Sequence, residues 1–285
     1  MRKVDKSKNS IKKYNNWRFL VTSSCNSNCF FCHRDGAGTS NIFLDFQFFK
    51  NIIQKYKNQI NKIRFAGGEP LLHPDIFKMI KIVSSLTKDV GIVTNGILLQ
   101  EHIKEIKDSK LPKITVSLHS LTPDVFKQIT GIKNKQYHEI IGSLKELNKF
   151  LKIKLNVVIL RGFNTTQEEI KKLIDFVVEN GFNIEFIELD LGSIKNISHK
   201  KYHYAPELLI GNIKRIKSIN FEFDDAKGRW ISIFKDSKIE VQKALCYNSL
   251  CEKCITTRPI LVYPNKKINR CRLGNSRIKG VDINF

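Results

Sequence analysis

No stretch of this chain approaches the roughly 18 apolar residues that a membrane-spanning helix needs. The first sixteen residues, Met1 to Asn16, are basic and polar and lack the apolar middle of a secretory signal. Acidic residues are scarce: 27 Asp and Glu stand against 49 Lys and Arg, a formal charge of +22. No internal repeat or low-complexity linker is present, and no basic–aromatic stripe of the kind that reads nucleic acid. Hydrophobic residues still make up 41% of the 285, enough for a packed core, which excludes wholesale disorder. The absences lead to the expectation of a soluble cytoplasmic protein with no membrane partner, built as one large domain or one domain plus a small annex. The charge favours an anionic partner. Lys, Asn and Ile abound along the whole chain, so a compositional bias of the source explains the charge as readily.

Cysteine is missing from the whole interval between Cys32 and Cys246. The seven cysteines fall into two groups: Cys25, Cys29 and Cys32 near one end, and Cys246, Cys251, Cys254 and Cys271 near the other. An odd number in a long chain without a secretory signal argues against a disulfide framework and for two separate thiolate sites.

Between Trp17 and Leu189, short apolar runs alternate with amphipathic stretches. The pattern predicts strands at Arg18–Thr22, Lys62–Ala66, Val90–Thr94, Lys113–Leu118, Lys154–Ile159 and Ile184–Leu189. It predicts helices at Leu44–Tyr56, Pro74–Leu86, Leu98–Lys107, Tyr137–Phe150 and Gln167–Asn180. In the last of these, Ile170, Leu173, Ile174, Val177 and Val178 make one apolar face, Thr166 and Glu169 form a capping box, and Gly181 ends it. Strand–helix repetition implies a parallel sheet flanked by helices, either an open doubly wound sheet or a barrel short of eight units. In both, ligands bind at the carboxyl ends of the strands. The rhythm breaks after Leu191. The expected organisation is a basic extension (1–16), a core (17–191), a linking segment (192–240) and a cysteine-bearing annex (241–285).

Cys25-Asn-Ser-Asn-Cys29-Phe-Phe-Cys32 follows the first strand, on a loop at its carboxyl end. Three thiolates so close can hold three irons of a [4Fe–4S] cubane and leave the fourth open to a chelating small molecule. Structural zinc prefers four protein ligands, and His33 is poorly placed to supply the fourth. The second strand ends in Gly67-Gly68-Glu69-Pro70. Two glycines allow close backbone approach, and Glu69 can pair with an ammonium. The third and fourth strands end in Thr94-Asn95-Gly96 and Ser117-Leu118-His119-Ser120, polar caps where a site would lie, or ordinary turn chemistry.

This combination resembles the radical S-adenosylmethionine (SAM) superfamily. The resemblance implies a catalytic [4Fe–4S] cluster on Cys25, Cys29 and Cys32, whose open iron SAM chelates. It implies that Phe31, Gly67, Gly68, Glu69, Asn95, Ser117 and Asp190 contact SAM, with Phe30 and Phe31 shielding the cluster. One electron then cleaves SAM to methionine and a 5′-deoxyadenosyl radical that takes a substrate hydrogen. An external donor such as a flavodoxin or ferredoxin supplies the electron.

Within that superfamily the chain is most similar to the GTP 3′,8-cyclases of molybdenum-cofactor biosynthesis. Those enzymes are partial (β/α)6 TIM-type barrels with a small C-terminal domain carrying a second [4Fe–4S] cluster. The likeness implies substrate contacts by Arg18, Arg64, Lys154 and Arg258, cations suited to a triphosphate. Cys251, Cys254 and Cys271 resemble the auxiliary-cluster ligands, and Cys246 is an additional candidate. The spacing from Cys254 to Cys271 is longer by three residues than in the cyclases, and the family's Arg-x-Arg is reduced to Arg258. Asp190 stands where those enzymes have a methionine, and their C-terminal double glycine is replaced by Val281-Asp-Ile-Asn-Phe285. An anionic nucleotide is the expected substrate, with another nucleotide or a peptide as the alternative. A non-catalytic protein with two zinc sites that binds nucleic acid is the rival from another class.

Overall fold

The computed structural model describes residues 16–32, 41–191, 197–244 and 259–269. Strands β1 (Asn16–Thr22), β2 (Lys62–Gly67), β3 (Asp89–Thr94), β4 (Lys113–Ser117), β5 (Lys152–Ile159) and β6 (Asn183–Glu188) run parallel, each beside the next in chain order. The helices that separate or follow them are α1 (Phe46–Tyr56), α2 (Ile76–Ser84), α3 (Ile103–Asp108), α4 (Pro123–Thr130), α5 (Asn134–Leu147), α6 (Gln167–Glu179) and α7 (Pro206–Lys217). That makes six β/α units, as expected. The sheet continues beyond them. After β7 (Glu222–Asp224) and β8 (Arg229–Phe234), β9 (Ser237–Gln242) pairs parallel with β6 and antiparallel with β8. At the opposite side β10 (Ile260–Val262) pairs parallel with β1 and carries the short β11 (Ile268–Asn269). The strand order runs β11-β10-β1-β2-β3-β4-β5-β6-β9-β8-β7 without closing on itself. The fold is an open, partial barrel.

The segment read as a link, 192–240, therefore carries a helix and most of a three-stranded addition to the sheet. Its rhythm was hidden because β7 and β8 are short and keep exposed apolar side chains, Phe223 at 46% and Ile233 at 66%, so neither reads as a buried run. The expected annex is likewise divided, since β10 belongs to the main sheet beside β1. The helix α4 also escaped the sequence pattern. It has eight residues, and only Phe126, Ile129 and Thr130 are buried.

Alternation sorts the strand residues into two faces. Trp17, Phe19, Ile63, Phe65, Ile114, Val116, Ile153, Leu155, Ile184 and Phe186 are all at most 1% exposed and join the cluster packed beneath the helices. Arg18, Lys62, Arg64, Lys113, Lys154, Asn156 and Glu185 alternate with them and are only half-buried, because they face the concave side. α6 buries Ile170, Leu173, Ile174 and Val177 completely. Each such side chain contributes roughly 1.5–3 kcal/mol of transfer free energy. Only half of its expected capping box forms. Thr166 accepts from Glu169 N at 3.2 Å, but the Glu169 carboxylate turns away to the hydroxyls of Ser120 and Thr122. It thereby ties α6 to the loop after β4. Past Asn180, Gly181 takes φ +65°, and Phe182 N returns to Val177 O at 2.9 Å.

Candidate active site

The cysteine loop leaves β1 at Thr22, where the ladder with β2 is bulged. Its two ends are fastened together. Ser23 N donates to Ile42 O at 3.1 Å, Leu44 N to Val21 O at 2.7 Å, and Thr22 forms an antiparallel bridge with Phe43. The body of the loop rests on the C-terminus of α4. Asn28 N and Ser27 Oγ both donate to Thr130 O at 3.0 Å, and Phe30 N donates to Ile129 O at 3.3 Å. These carbonyls belong to the last turn of a helix, where they lack intrahelical partners.

Cys25 and Cys32 are exposed, Cys29 is half-buried, and none of the three is in a disulfide. Burial, together with the nearby Cys32 and Cys25, pushes the Cys29 thiol up to about 12, against an opposing contact from Ser27 Oγ at 3.3 Å. Three thiolates on one short loop repel one another, so the set suits a cationic centre that neutralises them together. A cubane takes its ligands on separate irons, which thiols spread along a loop can supply. A single ion needs donors converging on one point, and among the described residues no three His, Cys, Asp or Glu do so.

Gly67 and Gly68 stand where the end of β2 passes close to another stretch of backbone. An added Cβ at Gly67, where φ is +144°, would lie 2.4 Å from Thr22 O, and one at Gly68 only 1.9 Å from Ser24 O. The close approach is to the root of the cysteine loop. Gly68 N donates to Thr22 O and Glu69 N to Ser24 O, each at 2.7 Å. The glycines let β2 lie against the loop that carries the thiols.

Glu69 is held by donors from three neighbouring residues. It is fully buried, with Oε1 accepting from Leu71 N at 3.0 Å and Thr94 Oγ1 at 2.7 Å, and Oε2 from Asn95 N at 2.7 Å. Burial raises its pKa to about 7 despite these donors. Asn95 extends the chain of contacts, since its Nδ2 reaches Asn26 Oδ1 at 2.7 Å and Cys25 Sγ at 3.7 Å. Cys25, Glu69 and Asn95, from the ends of three consecutive strands, are thus one connected unit.

Ser117 stands at the end of β4, half-buried, in register with Asn156 of β5. Asp190 lies just past β6 and is 7% exposed. Phe31 meets His119 edge-on at 5.0 Å, while Phe30 packs with Phe163, Tyr202 and the His199 ring. His199 Nε2 bonds Phe30 O at 2.9 Å. Burial lowers the His119 pKa to about 4. Its Nδ1 accepts from Val158 N at 3.2 Å, so the neutral ring is a fixed wall beside the loop. Ser27, Asn26, Thr130 and His199 carried no signal in the sequence, because each acts through a backbone or neighbour brought close only by folding.

The expected substrate cations reach the concave face, but not as free charges. Arg64 pairs with Asp89 at 2.7 Å and also donates to Asp89 O, and Lys113 shares the same carboxylate. Lys154 sits between Glu185 at 2.8 Å and Glu240 at 2.7 Å. Arg18 lies on the same face, in register with Arg64. Lys62 joins them, its pKa lowered to about 8 by burial and by the neighbouring Arg64. Arg258, Cys246, Cys251, Cys254 and Cys271 lie outside the described residues.

Comparison with known proteins agrees with this arrangement. Residues 19–177 match the Radical SAM superfamily model. A probable GTP 3′,8-cyclase of Thermococcus kodakarensis is 28% identical over 269 residues, covering 92% of this chain and 85% of the relative. A GTP 3′,8-cyclase of Clostridium botulinum is 33% identical over 236 residues, covering 80% and 72%. Among solved structures, Streptococcus suis SuiB bound to S-adenosylmethionine superposes with a TM-score of 0.71 at 16% identity, over 96% of this chain. This chain spans 63% of the SuiB chain, and the likeness is one of fold. With the matched model covering more than half of its length and the strand-end site in place, the chain belongs to the radical SAM superfamily of enzymes.

Proposed function

We propose that Cys25, Cys29 and Cys32 hold a [4Fe–4S] cluster, that SAM binds at its open iron, and that the concave face receives an anionic nucleotide in a GTP 3′,8-cyclase-like reaction. The observation that carries this reading is the connected unit of Cys25, Glu69 and Asn95 at the mouth of a cation-lined barrel. When bound, the cluster and SAM supply one-electron sulfonium cleavage and hydrogen abstraction. The chain's own residues fix the geometry. Gly67 and Gly68 lock the cysteine loop to β2, and Thr130 O anchors its far side. Phe30, Phe31, Phe163 and Tyr202 keep water from one flank.

Four distal cysteines, Cys246, Cys251, Cys254 and Cys271, are proposed to hold a second [4Fe–4S] cluster, with Arg258 as a substrate contact. β9 ends next to β6 and β10 lies next to β1, on either side of the six-strand core. An external flavodoxin or ferredoxin is proposed as electron donor.

The test is to reconstitute and reduce the protein, add SAM, and follow 5′-deoxyadenosine and methionine with and without GTP. Deoxyadenosine strongly stimulated by GTP, with a cyclised product, is the expected result. Deoxyadenosine indifferent to GTP redirects the search to other nucleotides or peptides. None at all, from protein with its iron intact, removes the catalytic reading. Cys29→Ala abolishes SAM cleavage if Cys29 is a ligand.

A further inference from the structure

Two of the three thiols sit at the ends of one tight turn. Cys32 N donates to Cys29 O at 3.1 Å, which closes the chain around Phe30 and Phe31. The peptide groups that flank Phe30 therefore set how far apart the Cys29 and Cys32 side chains leave the backbone, and at what angle. These groups are held from two sides. Phe30 N donates to Ile129 O at the end of α4, at 3.3 Å, and Phe30 O accepts from His199 Nε2 at 2.9 Å. A carbonyl can only accept, so His199 carries a proton on Nε2.

His199 reaches the loop from a distant part of the chain. It lies in a short helical strap, Ile197–Tyr202, beyond the residues 19–177 matched to the superfamily model. The strap is tied to the ends of two core strands. Just past β5, Arg161 N donates to Tyr202 O at 2.8 Å and Arg161 Nε to His203 O at 3.0 Å. His203 Nε2 donates to Oε1 of Glu188, the last residue of β6, at 2.7 Å. Glu188 is 3% exposed and also accepts from Ala244 N at 2.7 Å, so it is itself fixed. In the sheet, β1 and its cysteine loop are separated from β5 by β2, β3 and β4. The strap thus joins parts of the barrel mouth that the strand ladder leaves apart.

Rings complete the contact. The His199 ring lies nearly parallel to Phe30, with centroids 6.1 Å apart, and Phe30 also meets Tyr202 at 5.0 Å and Phe163 at 5.4 Å. Phe30, Phe163 and Tyr202 pack on a small apolar cluster of Ile129, Leu160 and Leu189, distinct from the main core. Packing alone would accept any aromatic ring at position 199. The hydrogen bond to Phe30 O would not survive that exchange.

We propose that Ile197–Tyr202 is a clamp on the cysteine loop and that His199 is its positioning residue, fixing through Phe30 O the turn that spaces the Cys29 and Cys32 thiolates for the cluster. The inference rests on the proposed function in taking these cysteines as cluster ligands. The clamp adds no ligand; it preorganises two that are already there.

The experiment follows iron loss from the anaerobically reconstituted full-length protein, without SAM, to an excess of a ferrous chelator. The phase of loss that Cys29→Ala lacks reports the cluster on this loop. His199→Phe keeps a ring against Phe30 and removes the donor. In it that phase is expected to run roughly fivefold faster, the equivalent of one hydrogen bond. His199→Gln, whose amide can donate again, is expected to recover part of the difference. The portion of the reduced-state EPR spectrum that Cys29→Ala lacks should change shape in His199→Phe. Leu173→Ala, which loosens α6 without touching the loop, should change neither the spectrum nor the phase. A rate in His199→Phe equal to the wild type's, no recovery in His199→Gln, or an equal acceleration in Leu173→Ala overturns the proposal. Should His199→Phe fail to fold, His199→Leu and His199→Gln, alike in size and different in the donor, carry the same comparison. If wild type and Cys29→Ala release iron alike, the cluster reading falls and the clamp with it. A distinct phase indifferent to residue 199 counts against the clamp alone.

Discussion

Gly68→Ala isolates the junction between β2 and the cysteine loop. The new methyl would lie 1.9 Å from Ser24 O, 2.5 Å from Ser24 C and 2.9 Å from Ser23 O, where real contacts are not shorter than 3.0 Å. Every obstacle is backbone, so no rotamer change relieves it, and the two chains must separate by more than 1 Å. That movement breaks Gly68 N to Thr22 O and Glu69 N to Ser24 O, both 2.7 Å. Two backbone hydrogen bonds at roughly 1 kcal/mol each and roughly 1–3 kcal/mol of overpacking sum to about 4 kcal/mol. The unfolding midpoint should fall by on the order of 10 °C, and the reconstituted variant should hold less iron because the thiols lose their footing. Gly142→Ala is the control. Gly142 is exposed within α5 and nothing lies within 4 Å of an added Cβ, so this change should stabilise by roughly 0.5–1 kcal/mol. Thermal unfolding and iron per chain are measured for both. Wild-type values for Gly68→Ala would falsify the claim that these glycines serve the loop.

The remaining expectations concern Glu69 and the core. Glu69 is raised to about 7 in the folded chain from an ordinary 4.5, so the folded state holds the proton more tightly. Its contribution is present below about pH 4.5 and is lost as pH rises through 7, a change on the order of 3 kcal/mol. In Glu69→Gln, stability between pH 4.5 and 7 should lose that slope. A slope equal to the wild type's, in urea unfolding of cluster-free protein, would show that Glu69 is not its source. Leu173→Ala should cost about 2–5 kcal/mol through the cavity it leaves under α6. A loss below 1 kcal/mol in the same assay would mean that α6 is not packed as described.

Much of the fold was legible because it is local. The six strands and five of the helices announce themselves through apolar period, and every core strand is found within two residues of its expected ends. Arg18, Arg64 and Lys154 fall on strands the sequence predicts, but that they share one face with buried neighbours on the other was shown by the fold. The hairpin of β8 and β9 was not legible, since its apolar residues are split between the core and solvent and no strong period survives.

At the site, the sequence by itself determined the three thiols on one loop, the glycine pair and polar caps at strand ends, and a family resemblance that the comparisons bear out. Residue type and short spacing suffice for these, because the chemistry of a thiol or a glycine is its own. Only the tertiary structure decided what each group faces. It turned Glu69 inward to Leu71, Thr94 and Asn95, set the glycines against Thr22 and Ser24, and placed Lys154 between two carboxylates, Glu240 lying 86 residues along the chain. Charge pairing and close backbone approach depend on distances across a folded sheet, and no local pattern in a chain records those distances.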